Sequence, residues 1–258
     1  MNNITITGKM HPGFNKILTE EAQEFLVKLH QMFNGTRKSL MEHRTEIHNK
    51  ILAGENPTFL PETESIREGD WQVDPIPDDL QDRRSEITGP AEAKMMINAL
   101  NSGAKIFMVD LEDSITPNWF NQIQGQANIS AAYESTLEFT SPEGKEYRLN
   151  QGKLATLIVR PRGWHMEEKH ILIDGEVASG SLVDAGLYLF HNIKRTLSKG
   201  TGPYFYLPKL ENHLETRLWN EIFSFAEQEL GVTRGTIKAT VLLETILAAF
   251  EIEEILYE

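Results

Sequence analysis

Residues 156–165 read TLIVRPRGWH. Leu157, Ile158 and Val159 form an unbroken apolar run, and Arg160, Pro161, Arg162 and Gly163 end it. A run apolar at every position suits a strand buried on both faces, as in a parallel sheet or barrel, rather than one with a wet face. Proline and glycine then turn the chain and leave a charged arginine at the strand's carboxyl end. Two other stretches have the same design. Residues 106–114, IFMVDLEDS, run from apolar to acidic, and residues 240–245, TVLLET, end on Glu244. Apolar strands with charge at their carboxyl ends are the signature of the working face of an α/β sheet or barrel.

The chain before residue 83 has a different texture. Phe25, Leu26, Leu29, Met32 and Phe33 recur at helical spacing within residues 19–52, and Thr19 is a candidate N-cap. Gly35 and the basic run from Arg37 to Arg44 divide this region into two expected helical segments, the second ending near Gly54. His30, His43 and His48 read as surface or half-buried helix histidines, because no tight i, i+4 pair with a carboxylate partner marks a metal site. Residues 56–82 hold Pro57, Pro61, Pro75 and Pro77 with few apolar runs, which predicts a linker or extended arm.

From Arg83 onward strands and helices alternate. Strands are expected within 83–90, 105–109, 156–159, 204–207 and 238–243, with helices over 91–100, 185–197 and 214–230 and another starting at 246. A short helix is expected over 128–133, and an inserted hairpin turns on Pro142-Glu143-Gly144 within about 134–152. Residues 170–174 and a glycine-containing loop come before the helix at 185. Five such repeats require right-handed crossovers and a parallel sheet. Charge at successive strand ends, with no G-x-G-x-x-G or Walker-type loop, favours a TIM (β/α)8 barrel over an open doubly wound sheet. The expected organisation is a helical clasp and arm over residues 1–82, then the first part of the barrel over 83–258. A closed barrel takes eight strands and about 250 residues. Five strands, ending inside a helix, therefore lead us to expect the front part of a longer sequence.

The net charge of −13 argues against nucleic-acid and membrane-surface partners, which favour a basic face. With no cysteine, disulfides, thiolate metal sites and cysteine nucleophiles are excluded. No run has the length and apolarity of a signal peptide or membrane span, so a cytoplasmic enzyme is expected, with a peroxisomal C-terminal signal left open. Acids and an arginine at neighbouring strand ends suit a hard cation such as Mg²⁺ and an enolate or carboxylate oxygen, hence carbon–carbon chemistry beside a carbonyl. Structural readings stand beside this one. Arg160 could pair with a carboxylate of a neighbouring strand, Asp110, Glu112 and Asp113 could cap the following helix and bind that arginine, and Glu244 could be a first-turn acid favoured by the helix dipole. Strand alternation puts Asp110 and Glu112 on one face and Asp113 on the other.

Four blocks carry a resemblance: DRRSEITGPAEAKMMINALNSGAKIFMVDLEDS, RPRGWHMEEKHILIDGE, GPYFYLPKLENHLE and GTIKATVLLETILAAFEIEEILYE. Through them the chain resembles the malate synthase family, of the shorter A type, over essentially its whole length. The resemblance implies a TIM barrel preceded by an α-helical clasp. It also implies condensation of acetyl-CoA with glyoxylate and water to give malate and CoA, with Mg²⁺. Matched by motif, Arg160 of RPRG is expected to be the catalytic arginine. Glu244 of LLET is expected to be a Mg²⁺ carboxylate, and Glu112 of DLED an acid beside the metal and its waters. Asp110 is expected beside Glu112 as a substrate-binding or outer-sphere group. Arg162 and Lys209 receive no role. The resemblance puts a second metal carboxylate and the proton-abstracting aspartate beyond Glu258, so these residues alone are expected to turn over negligibly. A lyase splitting malyl- or citryl-CoA-type thioesters and a non-catalytic truncated product are the competing readings.

Overall fold

The computed structural model describes residues 3–258. In chain order the elements are β1 (Ile4–Ile6), α1 (Glu20–Leu52), α2 (Glu64–Arg67), β2 (Glu86–Pro90), α3 (Ala93–Leu100), β3 (Ile106–Asp110) and α4 (Trp119–Glu134). Then come β4 (Glu138–Thr140), β5 (Glu146–Arg148), β6 (Thr156–Arg160), β7 (Glu167–Ile173), β8 (Glu176–Ser179) and α5 (Gly180–Ser198). The last are β9 (Tyr204–Leu207), α6 (His213–Leu230), β10 (Lys238–Val241) and α7 (Ile252–Tyr257).

Strands β2, β3, β6, β9 and β10 lie side by side in that order, every neighbouring pair parallel. Spatial order equals chain order, so the sheet winds in one direction, as in a TIM barrel; a doubly wound sheet would reverse. The sheet curls enough that Arg83, just before β2, donates from Nη1 to Thr240 Oγ1 on β10 at 2.6 Å. Alternation sorts the strand residues. Ile106, Ile158 and Tyr204 form a small cluster inside the curl with Leu80 of the arm. Phe107, Val109, Leu157, Val159, Phe205 and Leu207 join the helices in the main core. Asp79 of the arm seals the amino end of the curl, accepting from Tyr204 Oη at 2.7 Å.

Helix α1 is one uninterrupted element, capped by Thr19, whose hydroxyl accepts from the Ala22 N–H at 3.2 Å. The expected break at Gly35 does not occur. Gly35 lies on the exposed side, so its helix cost of about 1 kcal/mol is outweighed by the packed opposite face. That face continues past Phe33 as Asn34, Arg37 and Leu40, all buried, and the buried polar groups hide the periodicity. Met32 is exposed, and His30 is buried rather than half-buried. Where α1 meets α5, a Cβ on Gly186 would lie 2.6 Å from Leu26 Cδ2 and 2.8 Å from Leu29 Cδ1. Glycine is what lets these two helices approach.

Two further expectations are corrected. The short helix at 128–133 is the end of the 16-residue α4, whose buried set includes Gln122, Gln126, Asn128 and Ser130 and so lacks a clean apolar stripe. Residues 167–179 are a hairpin, β7 against β8, extended by β1 into a three-stranded antiparallel sheet. Its turn is Asp174-Gly175 with φ of 52° and 82°, the left-handed pair that an Asp-Gly hairpin turn requires. The inserted hairpin forms as expected, with Phe139 opposite Tyr147.

Candidate active site

Asp110 and Arg160 are register partners on β3 and β6, each the last residue of its strand. On the alternation of Ile106 and Ile158 their side chains point into the curl, and both are buried. Arg160 Nε donates to Asp110 Oδ1 at 2.8 Å, and Nη2 donates to Asp110 Oδ2 and to Asp113 Oδ2, the latter at 3.0 Å. Asp110 also accepts from the backbone N–H groups of Glu112, Asp113 and Ser114. Burial alone would raise its pKa, but these bonds outweigh it and hold the carboxyl below its ordinary range. Burial likewise opposes the Arg160 charge, and its bonds to Asp110 keep the guanidinium pKa above its ordinary value.

The same backbone bonds bend the chain after Asp110. Glu112 therefore turns toward Gly163, accepting its N–H at Oε1 at 3.0 Å. Asp113 swings to the same side as Asp110 instead of the opposite one, because the strand has ended and alternation no longer applies. Glu112 Oε2 is buried with no hydrogen-bond partner, its closest cations being Arg160 Nε and Lys209 Nζ, each at 3.9 Å. Burial, then the charge of Asp113, pushes the Glu112 carboxyl up to about 7. Glu244 follows β10 and joins through Lys209, accepting its backbone N–H at 2.8 Å and its ammonium at 3.2 Å. The ammonium also donates to Asp113 Oδ2 at 3.0 Å.

A buried ion cluster supports the loop between β6 and β7. Arg162 is 1% exposed and donates to Asp184 from its backbone N (2.9 Å), Nε (2.9 Å) and Nη2 (2.8 Å), and from Nη1 to Glu168 Oε2 (2.9 Å). Burial opposes the guanidinium charge, but the two carboxylates outweigh it and hold its pKa above the ordinary value. Helix α1 braces both loops of the site. Arg37 Nη1 donates to the Trp164 carbonyl and Arg44 Nη2 to the Lys209 carbonyl, each at 2.7 Å.

The family model for the malate synthase TIM barrel domain matches residues 156–258, and that for the malate synthase N-terminal domain matches residues 2–65. Malate synthase of Myxococcus xanthus (strain DK1622) is 55% identical over 255 residues, covering 99% of this chain and 47% of the relative. The Dictyostelium discoideum protein is 51% identical over 260 residues, covering 100% and 48%. Glyoxysomal malate synthase of Brassica napus is 47% identical over 261 residues, covering 100% and 46%.

The chain belongs to the malate synthase family. It spans about half the length of the curated malate synthases it matches.

The fold brings Arg160, Asp110 and Glu112 into direct contact or near contact, and reaches Glu244 only through Lys209. Lys209 and the Arg162 cluster are the groups that sequence reasoning left without a role, and Asp113 had only a structural one. Only Lys209 carried a usable signal, its place after the strand YFYL-Pro. Among the described residues no group of three or more His, Asp or Glu is placed to hold a metal ion. Mg²⁺ usually takes one or two protein carboxylates and completes its shell with water and substrate oxygens. The partnerless, buried Glu112 oxygen and the partly exposed Glu244 carboxylate, 3.9 and 3.2 Å from the Lys209 ammonium, fit that donor set.

Proposed function

We propose that this chain supplies the barrel side of a Mg²⁺-dependent condensation of acetyl-CoA with glyoxylate and water, giving malate and CoA. The observation that carries the proposal is the guanidinium of Arg160. Its Nε and Nη2 are taken up by Asp110 and Asp113, while Nη1 has no protein partner among the described residues. An arginine so anchored presents a fixed charged donor to an oxygen that becomes negative during reaction.

In this reading a base takes a proton from the acetyl methyl group, and Arg160 stabilises the negative oxygen of the resulting thioester enolate. The enolate carbon then attacks the aldehyde carbon of glyoxylate. Hydrolysis of the thioester releases the CoA thiol and malate. Glu244 would hold Mg²⁺, with Glu112 beside the ion and its waters; when bound, the ion polarises the aldehyde carbonyl as a Lewis acid. Asp110, whose oxygens are already engaged, acts as a positioning residue through Arg160. A cytoplasmic setting is proposed, with the glyoxysomal names of plant relatives marking the alternative.

The test is CoA thiol release from acetyl-CoA by the protein that carries this chain at its relatives' length, with malate measured in parallel. Release that depends on both glyoxylate and Mg²⁺ supports the proposal. Release indifferent to glyoxylate would exclude it.

A further inference from the structure

Lys209 is one of three non-glycine residues with positive φ among the described residues, at 54°. A lysine in the left-handed region costs on the order of 1 kcal/mol and persists only where its surroundings fix it. Here both backbone groups are fixed. Its N–H donates to Glu244 Oε1 at 2.8 Å, and its carbonyl accepts from Arg44 Nη2 at 2.7 Å. Arg44 is itself forked onto the fully buried Glu215 of α6, through bonds of 2.6 and 2.7 Å.

The result is an ammonium set among three carboxylates from two strand ends: Asp113 at 3.0 Å, Glu244 at 3.2 Å and Glu112 at 3.9 Å. Without it Glu244 would lose its cation, and Glu112 and Asp113 would be left with Arg160 alone. With it, Glu112 Oε2 still lacks a hydrogen bond although its side chain is only 2% exposed. That buried oxygen, aimed into the cluster, marks a place for a cation that the ammonium fills incompletely. The Lys209 side chain is 34% exposed, and a lysine is a compact charge on a flexible four-carbon stem. Its tip can withdraw to water while the pinned backbone stays in place.

We propose that Lys209 is the resident counter-ion of this site: its ammonium holds Glu112, Asp113 and Glu244 together until a divalent cation displaces it. The inference rests on the reading of Glu244 and Glu112 as metal-side carboxylates. It goes further in making metal binding an exchange of cations rather than the filling of a gap. An internal cation that must be displaced lowers the apparent affinity for Mg²⁺, since like charges a few ångströms apart repel.

The experiment is titration calorimetry of the protein that carries this chain at its relatives' length with Mg²⁺, repeated with Mn²⁺, on wild type, Lys209→Met and Glu244→Gln. Thermal midpoints are recorded in chelator and in saturating Mg²⁺. Lys209→Met is expected to bind the divalent ion on the order of tenfold tighter. Its midpoint should fall in chelator and recover to the wild-type value in Mg²⁺, whereas a merely structural lysine would lower both midpoints. Glu244→Gln should lose the binding. Should Lys209→Met not fold, Lys209→Gln reads the same titration with a polar side chain in place. If wild type binds, Glu244→Gln does not, and the Lys209 variants bind equally or more weakly, the counter-ion role is overturned and the metal reading stands. If wild type does not bind, or Glu244→Gln binds as wild type does, the metal reading falls and the counter-ion falls with it.

Discussion

Replacing Arg162 with methionine removes a guanidinium that makes two bonds to Asp184 and one to Glu168, and leaves only the backbone N–H bond from residue 162 to Asp184. Both carboxylates are almost wholly buried, so the change leaves two charges without their cation. Glu168 keeps only the His170 imidazole and backbone N–H on its other oxygen. Breaking a buried pair in this way costs about 3–5 kcal/mol, far more than the net worth of the intact pair. In a chain of this size each kilocalorie moves the thermal midpoint by about 2–4 °C, so a drop of roughly 10 °C is expected. Urea and thermal denaturation followed by circular dichroism at pH 7 measure it. Arg162→Lys, which keeps the charge but not the planar fork, should lie between the two. Adding Asp184→Leu to Arg162→Met should recover part of the loss by removing one stranded carboxylate. A loss below about 1 kcal/mol for Arg162→Met would refute the view that this cluster carries the RPRG loop.

Gly163→Ala would place a Cβ 2.7 Å from Glu112 Oε1 and 2.9 Å from His165 Cε1. Glu112 must then move, and kcat/KM for glyoxylate-dependent thiol release should fall by on the order of 10²-fold with little change in stability; an unchanged value would detach Glu112 from the chemistry. Burial holds the imidazoles of His30 and His191 below their ordinary pKa of 6.5. The unfolded chain then takes up protons near pH 6.5 that the folded chain does not. Their contribution to stability is complete above that pH and falls as the pH drops through it. The thermal midpoint lost between pH 7.5 and 5.5 should be smaller in His191→Gln than in wild type, and an equal or larger loss would count against this. Chelation should lower the midpoint of Lys209→Met more than that of wild type, as set out above.

Strands β3, β6 and β9 were legible because each is a short run apolar at nearly every position, whereas β2 (EITGP) and β10 (KATV) are more polar and were read from their place in the alternation of strands and helices. The pairing of Asp110 with Arg160 follows from register once the two strands are neighbours. What alternation could not give was the position of anything past the strand end. Asp113 was placed on the wrong face because the side chain of Asp110 bonds three following N–H groups and bends the chain. The partners of Arg162 were hidden for another reason. Asp184 lies 22 residues away on α5, and nothing local ties the two together. Helix α1 was divided and α4 shortened in the sequence reading because their buried faces include Asn34, Arg37, Gln122 and Gln126, which hydrogen-bond rather than pack as apolar groups. The Asp174-Gly175 turn was a readable hairpin signal, masked by the alternating charges of EEKHILI before it.

The most direct test concerns Arg160. Circular dichroism and glyoxylate-dependent thiol release should be measured together for Arg160→Lys and Arg160→Ala, in the protein that carries this chain. The expected result is native secondary structure with kcat reduced by about 10²–10³-fold or more, the scale of losing one prepared donor to a developing oxyanion. A kcat within a few-fold of wild type in either variant would contradict the role given to Arg160.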